Sequence, residues 1–305
     1  STSATAEIFL SLGINFLKMH QIDQSLICFK KVITINPSLS SPYTNIGLIY
    51  TDYLLKFNKA ISYLNKAIEI EPSNTKALYN LGCAYDKLGE KEKGIYYYKK
   101  TIKIKPNYYK AVYNMSLYHL ATDDYKNGWL EYESRKKTLE IKEETLNIPK
   151  TKIWDGSQFN STLVVHAEQG IGDEILISSL YNELLSRQKN LCISCDKRLI
   201  KIFERSFSGI KFVDRKSLFT VSNESKHIFS FSLGQFLRTN VKSFKNNSKK
   251  WLYSDSKKDK EIQALIPDFN KIKVGISWKS PEAKQDNKDI SLLKIISTMP
   301  KFFFE

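Results

Sequence analysis

Cysteine is scarce in this chain, with four in 305 residues. That is too few to staple so long a chain, so its core must hold by packing rather than by a disulfide framework. Cys192 and Cys195 form a C-x-x-C, but inside the apolar run "LCISCD". A redox motif of that spacing needs a helix start and a zinc site needs a second pair, so both read as core cysteines in a reducing, cytoplasmic compartment. No apolar run approaches the roughly 18 to 20 residues of a membrane span. The N-terminus "STSATAEIFL" has no basic n-region or apolar h-region, which speaks against a secretory signal. It also lacks an initiator Met, and "KFFFE" is an abrupt end, so a piece of a longer protein is expected. Arginine is scarce too: six of the 47 basic residues, leaving 47 − 6 = 41 lysines. The lysines are scattered, without an Arg-rich helix or an aromatic RNA-binding signature. The net charge of +15 therefore reads as solvated surface rather than a nucleic-acid footprint. There is no Asp-x-Asp, so no catalytic metal and no cofactor is indicated.

What is present is a period. Gly13, Gly47 and Gly82 are 34 and 35 residues apart, and Pro37, Pro72 and Pro106 are 35 and 34 apart. Around them run "FLSLGINF…SLICFKKVITINP", "YTNIGLIY…AISYLNKAIEIEP" and "LYNLGCAY…GIYYYKKTIKIKP". A fourth unit, "VYNMSLYH…GWLEYESR", follows with Ser116 in the glycine position. Small residues at Gly47, Ala60 and Ala67 let two antiparallel helices cross closely, and each proline stops the second helix. The pattern resembles the tetratricopeptide repeat, about four copies over residues 1–137. Such hairpins stack so that their first helices line a concave face. Asn45, Asn80 and Asn114 share one slot, two residues before the glycine or its substitute. In the repeats of O-linked N-acetylglucosamine transferases, to which this slot is similar, an asparagine ladder holds peptide backbone. An amide suits that task because it both donates and accepts. Asparagine is also a common occupant of the slot with no ligand at all.

Beyond a linker at 138–160 the periodicity changes. "TLVVHA", "LCISC", "IKFVD", "HIFSFS" and "KVGISW" are short β-rich runs. Helix-like stretches such as "DEILISSLYNELLSRQ" and "KRLIKIFERSF" lie between them. Alternation of this kind predicts βαβ units and a doubly wound, Rossmann-like α/β domain over 161–250. Residues 251–305 read as a linker with an amphipathic helix and the start of a second α/β unit at "KVGISW".

"HAEQGIGDEI", residues 166–175, raises the question of chemistry. A dinucleotide fingerprint, with Asp196 as ribose ligand, would need a third glycine where Ile175 stands. Asp173 would also carry its charge into the helix N-terminus that a pyrophosphate occupies, which disfavours a nicotinamide cofactor. Asp173 and Glu174 in a first helical turn could simply stabilise the helix dipole. Glu168 and His166 sit at the strand end, where ligands of open α/β sheets bind.

Together "GWLEYESR", "WDG" at 154–156, "HAEQGIGDEI", "CDKRLIKIFERSF", "VGISWKS" at 274–280 and "DISL" resemble bacterial tetratricopeptide proteins fused to a domain like glycosyltransferase family 9, the heptosyltransferase family. The resemblance implies a GT-B architecture of two Rossmann-like halves, with the second ending early at Glu305. It implies transfer of a sugar from a nucleotide-sugar donor, a substrate rather than a cofactor, to an acceptor hydroxyl on a protein or peptide recruited by the repeats. It places the general base on Asp173, with Glu168 or His166 as the alternative base or an orienting group. Gln169, Gly170 and Gly172 would border the acceptor. Ser277, Lys279 and Ser280 would meet the donor, where Lys279 could neutralise a diphosphate. The residues "DEIL" after the glycines depart from the usual heptosyltransferase pattern and leave the acceptor open. The alternative is a scaffold whose repeats bind a partner while the α/β half is idle.

Overall fold

Pro37, Pro72 and Pro106 each stand two residues past a helix end, after α2 (Ile22–Ile35), α4 (Phe57–Ile70) and α6 (Lys91–Ile104). The protein is described here by a computed structural model covering residues 2–138, 152–217, 222–247 and 251–265. Each of these helices pairs with its predecessor, α1 (Thr2–Lys18), α3 (Ser40–Asp52) or α5 (Thr75–Lys87), and α7 (Tyr109–Ala121) pairs with α8 (Tyr125–Tyr132). The glycines set how closely the partners approach. A Cβ on Gly82 would sit 2.5 Å from the Tyr98 ring, so only glycine admits that ring into the α5–α6 crossing. In the fourth pair the small residue changes sides. Ser116 is fully buried on α7, and Gly128 on α8 would place a Cβ 2.8 Å from Leu120.

The α/β half is a four-stranded sheet, all parallel, in the order β3-β2-β1-β4. The strands are β1 (Leu163–His166), β2 (Leu191–Cys195), β3 (Ile210–Asp214) and β4 (Lys226–Phe229). Every residue of β1 and β2 is buried, as central strands covered on both faces should be. Helices α10 (Ile171–Ser178), α11 (Tyr181–Arg187) and α12 (Lys197–Ser206) fill the crossovers. Tyr181, Phe203, Phe207 and Phe212 meet edge to face or tilted in the core between them.

Four details differ from the sequence expectation. The single helix expected over 173–188 breaks at Ser179, where the hydroxyls of Ser178 and Ser179 bond the carbonyls of Ile175 and Leu176 at 2.7 and 2.8 Å. The strand expected at "HIFSFS" ends at Phe229, and Ser230–Leu233 turns into a 3-10 helix because Phe231 N donates to Glu168 Oε1 at 2.9 Å instead of to a strand. Within the expected linker, Ile153 bridges to His227, and Trp154 is buried against Phe236 with ring centroids 4.9 Å apart. Trp251 belongs to the same fold, its indole N–H donating to Ser178 Oγ at 3.1 Å. One compact unit therefore runs over residues 1–254, repeats and sheet together, and a second begins at Asp255 with α14 (Ser256–Leu265) as its described helix.

The repeats join the sheet through "GWLEYESR". Trp129 donates its indole N–H to Arg238 O at 2.7 Å and lies over Gly234, in helix α13 (Gly234–Leu237), where any Cβ would meet the indole at 2.5 Å. Arg135, which opens the short helix α9 (Arg135–Thr138), is wholly buried. Its Nε and Nη2 reach both oxygens of Glu168 at 3.0 and 2.7 Å, and Nη2 also reaches Ser232 Oγ at 3.0 Å. Nη1 takes Glu133 at 2.8 Å. Burial pushes the Glu133 carboxyl up, but Arg135 and Lys136 outweigh it and hold the group below its ordinary value. Removing one member of such a pair strands a buried charge, at a typical cost of about 3–5 kcal/mol. Arg135→Met should therefore lower unfolding stability by about that amount in urea titration, and Arg135→Met with Glu168→Gln should recover part of it, since Gln still accepts from Phe231 N.

Candidate functional site

The three asparagines of the shared slot line one groove of about 590 Å³ on the first helices of the repeats. Asn45 donates its amide to Ser41 O at 3.0 Å, and Asn114 donates to Tyr98 Oη at 3.0 Å. Among the described residues Asn80 makes no side-chain hydrogen bond. All three side-chain oxygens are thus left as acceptors, subject to the usual amide assignment. Tyr79, Cys83 and Tyr98 form the floor, with Tyr98 buried and burial pushing its phenol and the Cys83 thiol up, so that both stay neutral.

The groove carries a charge pattern that the sequence reading missed. Asp52 and Asp86 line one side but are paired with Lys87 at 2.9 Å and Lys91 at 2.6 Å. Lys76 and Lys110 also line it, and neither meets a carboxylate among the described residues. They are 34 residues apart, each four before a ladder asparagine and in the first turn of its helix. The helix dipoles add positive potential at that edge. The repeat period that marks the asparagines marks these lysines as well, one in each of two successive repeats.

The second candidate lies at the C-terminal edge of the sheet. Its expected residues from His166 to Asp173 are together, and His166, Glu168 and Asp173 each have a structural partner. Asp173 Oδ2 accepts from Gly170 N at 3.1 Å, closing the first turn of α10, so its carboxylate caps the helix in this structure. Glu168 is the partner of Arg135. Gln169, the next residue, has φ 63°, a left-handed backbone uncommon outside glycine, and its carbonyl accepts from Arg215 at 3.1 Å. Gly170 and Gly172 are exposed, and a Cβ on Gly172 would touch nothing. Asp196, a ribose ligand in the dinucleotide reading, caps α12 through Arg198 N at 3.0 Å; the Arg198 guanidinium first, and that backbone hydrogen bond second, hold its carboxyl well below the usual range. Glu174 is buried, accepts from Asp196 N at 2.8 Å and pairs with Arg215 at 2.8 Å. Burial pushes Cys195 up to about 12, which fits an inert core thiol. The donor residues Ser277, Lys279 and Ser280 lie outside the described residues. Among the described residues no group of three His, Cys, Asp or Glu side chains is placed to hold a metal, and no helix is long and apolar enough to cross a membrane.

His166 Nε2 is 2.9 Å from His227 Nδ1, and the two rings are nearly parallel, 11° apart, with centroids separated by 5.2 Å. One nitrogen must donate and the other accept, so the pair needs at least one neutral ring. Burial first, then His227, lowers His166 to about 4. The unfolded chain takes up this proton near pH 6.5 and the folded one only near 4, so stability should fall as pH drops through that window, by roughly 3 kcal/mol at its end. Urea midpoints between pH 7 and 4 should show the slope, and His166→Asn should flatten it.

Comparison with known proteins agrees with the helical half. Tetratricopeptide repeat models match residues 40–74 and 75–108. Protein FlbA of Caulobacter vibrioides is 20% identical over 292 residues, 88% of this chain and 48% of FlbA. The ycf37 protein of Guillardia theta is 29% identical over 92 residues, 28% of this chain and 51% of that protein. The chain thus spans about half the length of the curated relatives it matches. Among solved structures, MamA is 26% identical with a TM-score of 0.37, covering 47% of this chain and 81% of MamA. The first tetratricopeptide domain of Spaghetti (RPAP3), solved with the HSP90 peptide SRMEEVD, is 26% identical with a TM-score of 0.38, covering 39% of this chain and 94% of that one. The N-terminal region is an array of tetratricopeptide repeats, an architecture for protein–protein interaction, joined to a four-stranded parallel sheet compatible with an α/β domain.

Proposed function

We propose that the array binds an extended, acidic polypeptide segment along the groove of Asn45, Asn80 and Asn114. The observation that carries this reading is the convergence of the three amides in one groove, with Lys76 and Lys110 uncompensated at its edge. Amide oxygens at one-repeat spacing accept main-chain N–H groups whatever the side chains are, and the two ammonium groups select for carboxylates. In an FlbA-like protein of greater length the array would recruit a partner for the attached α/β half. The test is a peptide selected from a displayed library of random sixteen-residue segments. Changing Asn45, Asn80 and Asn114 to Ala should weaken its capture by roughly a hundredfold, at about 1 kcal/mol for each hydrogen bond, with helicity unchanged. Lys76→Glu with Lys110→Glu should weaken it further and reduce its salt dependence. Unchanged capture by the triple variant would remove the ladder.

A second reading is sugar transfer at the sheet edge. It is favoured by topology: the parallel order β3-β2-β1-β4 is compatible with an α/β domain of the doubly wound kind, and the loop Gln169–Gly172 follows the carboxyl end of β1, where such sheets bind ligands. Asp173 would act as base for an acceptor hydroxyl after releasing Gly170 N. Glu168 is a weaker choice, because both of its oxygens are held by Arg135. A nucleotide sugar would be the second substrate. In the full-length protein Asp173→Asn should cut sugar transfer by roughly 10²- to 10⁴-fold if Asp173 is the base. Asn also accepts from Gly170 N, so the thermal melt should not move. Full activity with an unshifted melt would leave Asp173 as a cap only.

A further inference from the structure

The second helices of the repeats carry a periodic pattern of their own on the outer face of the array. Ser25, Ala60, Gly94 and Gly128 are their small buried residues, one in each helix. Two positions on is about 200° round a helix, so that slot faces away from the first helices and the groove. Ile27, Tyr96 and Leu130 occupy it, with Ser62 in the second repeat, and the three apolar side chains are 67, 52 and 68% exposed. Lysines follow one turn later on the same face: Lys30 and Lys31 on α2, Lys66 on α4, Lys99 and Lys100 on α6, and Lys103 a further turn along. Lys100 Nζ lies 4.6 Å from the Tyr96 ring centroid. Lys66 is paired with Glu69 at 2.8 Å, and the other five lysines meet no carboxylate among the described residues. Asp23 and Glu92 stand in the first turns of α2 and α6, about 10 Å along the axis from the lysines. In the fourth repeat the lysine positions are Glu133 and Ser134, so the band ends there.

We propose that this outer face of the first three repeats adsorbs to an anionic phospholipid bilayer, with the lysines against headgroup phosphates and Ile27 and Tyr96 entering the headgroup layer. Charge complementarity selects the partner class: five uncompensated ammonium groups on two helices call for a dense negative surface. Their long stems lie along apolar surface while the charged heads reach the phosphates, and a tyrosine suits a boundary that is apolar on one side and wet on the other. The apolar side chains stand on separate helices with Ser62 between them. A rigid protein would need a matched socket for each, whereas a fluid interface accepts each without one. A nucleic acid would meet the lysines but gain nothing from Ile27. Each ammonium group near an anionic surface is worth about fivefold in partition, so the band suffices for reversible adsorption without a helix that crosses the membrane. The face is turned away from the asparagine groove, so this proposal does not depend on what the groove binds.

The test is flotation of the intact chain with phosphatidylcholine vesicles, with and without phosphatidylglycerol. Binding should require phosphatidylglycerol and weaken as salt is raised. Lys99→Gln with Lys100→Gln should lower the partition by roughly thirtyfold, about fivefold for each ammonium group removed, and Lys30→Gln with Lys31→Gln by as much. Lys189→Gln with Lys201→Gln, two exposed lysines of the α/β half, removes the same charge and should change nothing. Ile27→Ser should cost roughly tenfold with the salt dependence unchanged. All of these side chains are exposed, so thermal melts should match the parent and separate lost contact from lost fold. Failure to bind the anionic vesicles, equal binding to both kinds, or an equal loss from the Lys189 and Lys201 pair overturns the proposal. If Ile27→Ser has no effect, the face is a general surface for polyanions, which polyglutamate or DNA would occupy as well, and the bilayer proposal falls.

Discussion

A single buried guanidinium decides what kind of molecule this is. Arg135 leaves water completely, and it does so with both Glu168 oxygens, Ser232 and Glu133 arranged around it. An arginine is suited to this place because its planar fork meets a carboxylate at two points, and because it keeps its charge where a lysine would shed it. The pair fastens the last repeat to the loop that leaves β1. It also draws Phe231 N towards Glu168 and ends β4 early. Repeats and sheet therefore behave as one unit instead of two domains on a tether.

That rigidity gives the two candidate sites a fixed relation. A flexible link would let the groove and the sheet edge bind separately, each limited by its own affinity and by the effective concentration the linker allows. Here Tyr113 packs on Tyr132, and the Arg135 guanidinium lies 4.9 Å from the Tyr132 ring centroid while it holds Glu168. Trp129 over Gly234 reinforces the junction from the other side, in a space that admits no side chain. Protein interaction is the role the repeats support directly.

The acidic and basic groups at the sheet edge are largely occupied with the fold. Asp173 closes a helix turn, Asp196 caps the next helix, and Glu174 is enclosed with Arg215. This is the expected state of carboxylates near helix starts, where N–H groups and dipoles favour them without a ligand. Chemistry at this edge would have to release one of them, and Asp173 is the least enclosed, held by one backbone hydrogen bond next to two exposed glycines.

The sequence by itself determined the repeats, because their signals are local. A glycine that admits a ring and a proline that ends a helix act within one hairpin, and at a period of 34 or 35 they declare themselves. It also determined the strands of the sheet, since runs such as "TLVVHA" and "LCISC" are too apolar to lie anywhere but between two layers. Asn45, Asn80 and Asn114 were legible as a ladder for the same reason of period. Only the tertiary structure decided that Glu168 is a buried ion-pair partner, because Arg135 is 33 residues away and nothing local marks the pairing. It alone brought His166 Nε2 to His227 Nδ1 across 61 residues and set the Arg135 guanidinium over the Tyr132 ring. A side chain's chemistry follows from what surrounds it, and for residues at a junction those surroundings come from distant parts of the chain that no periodicity connects.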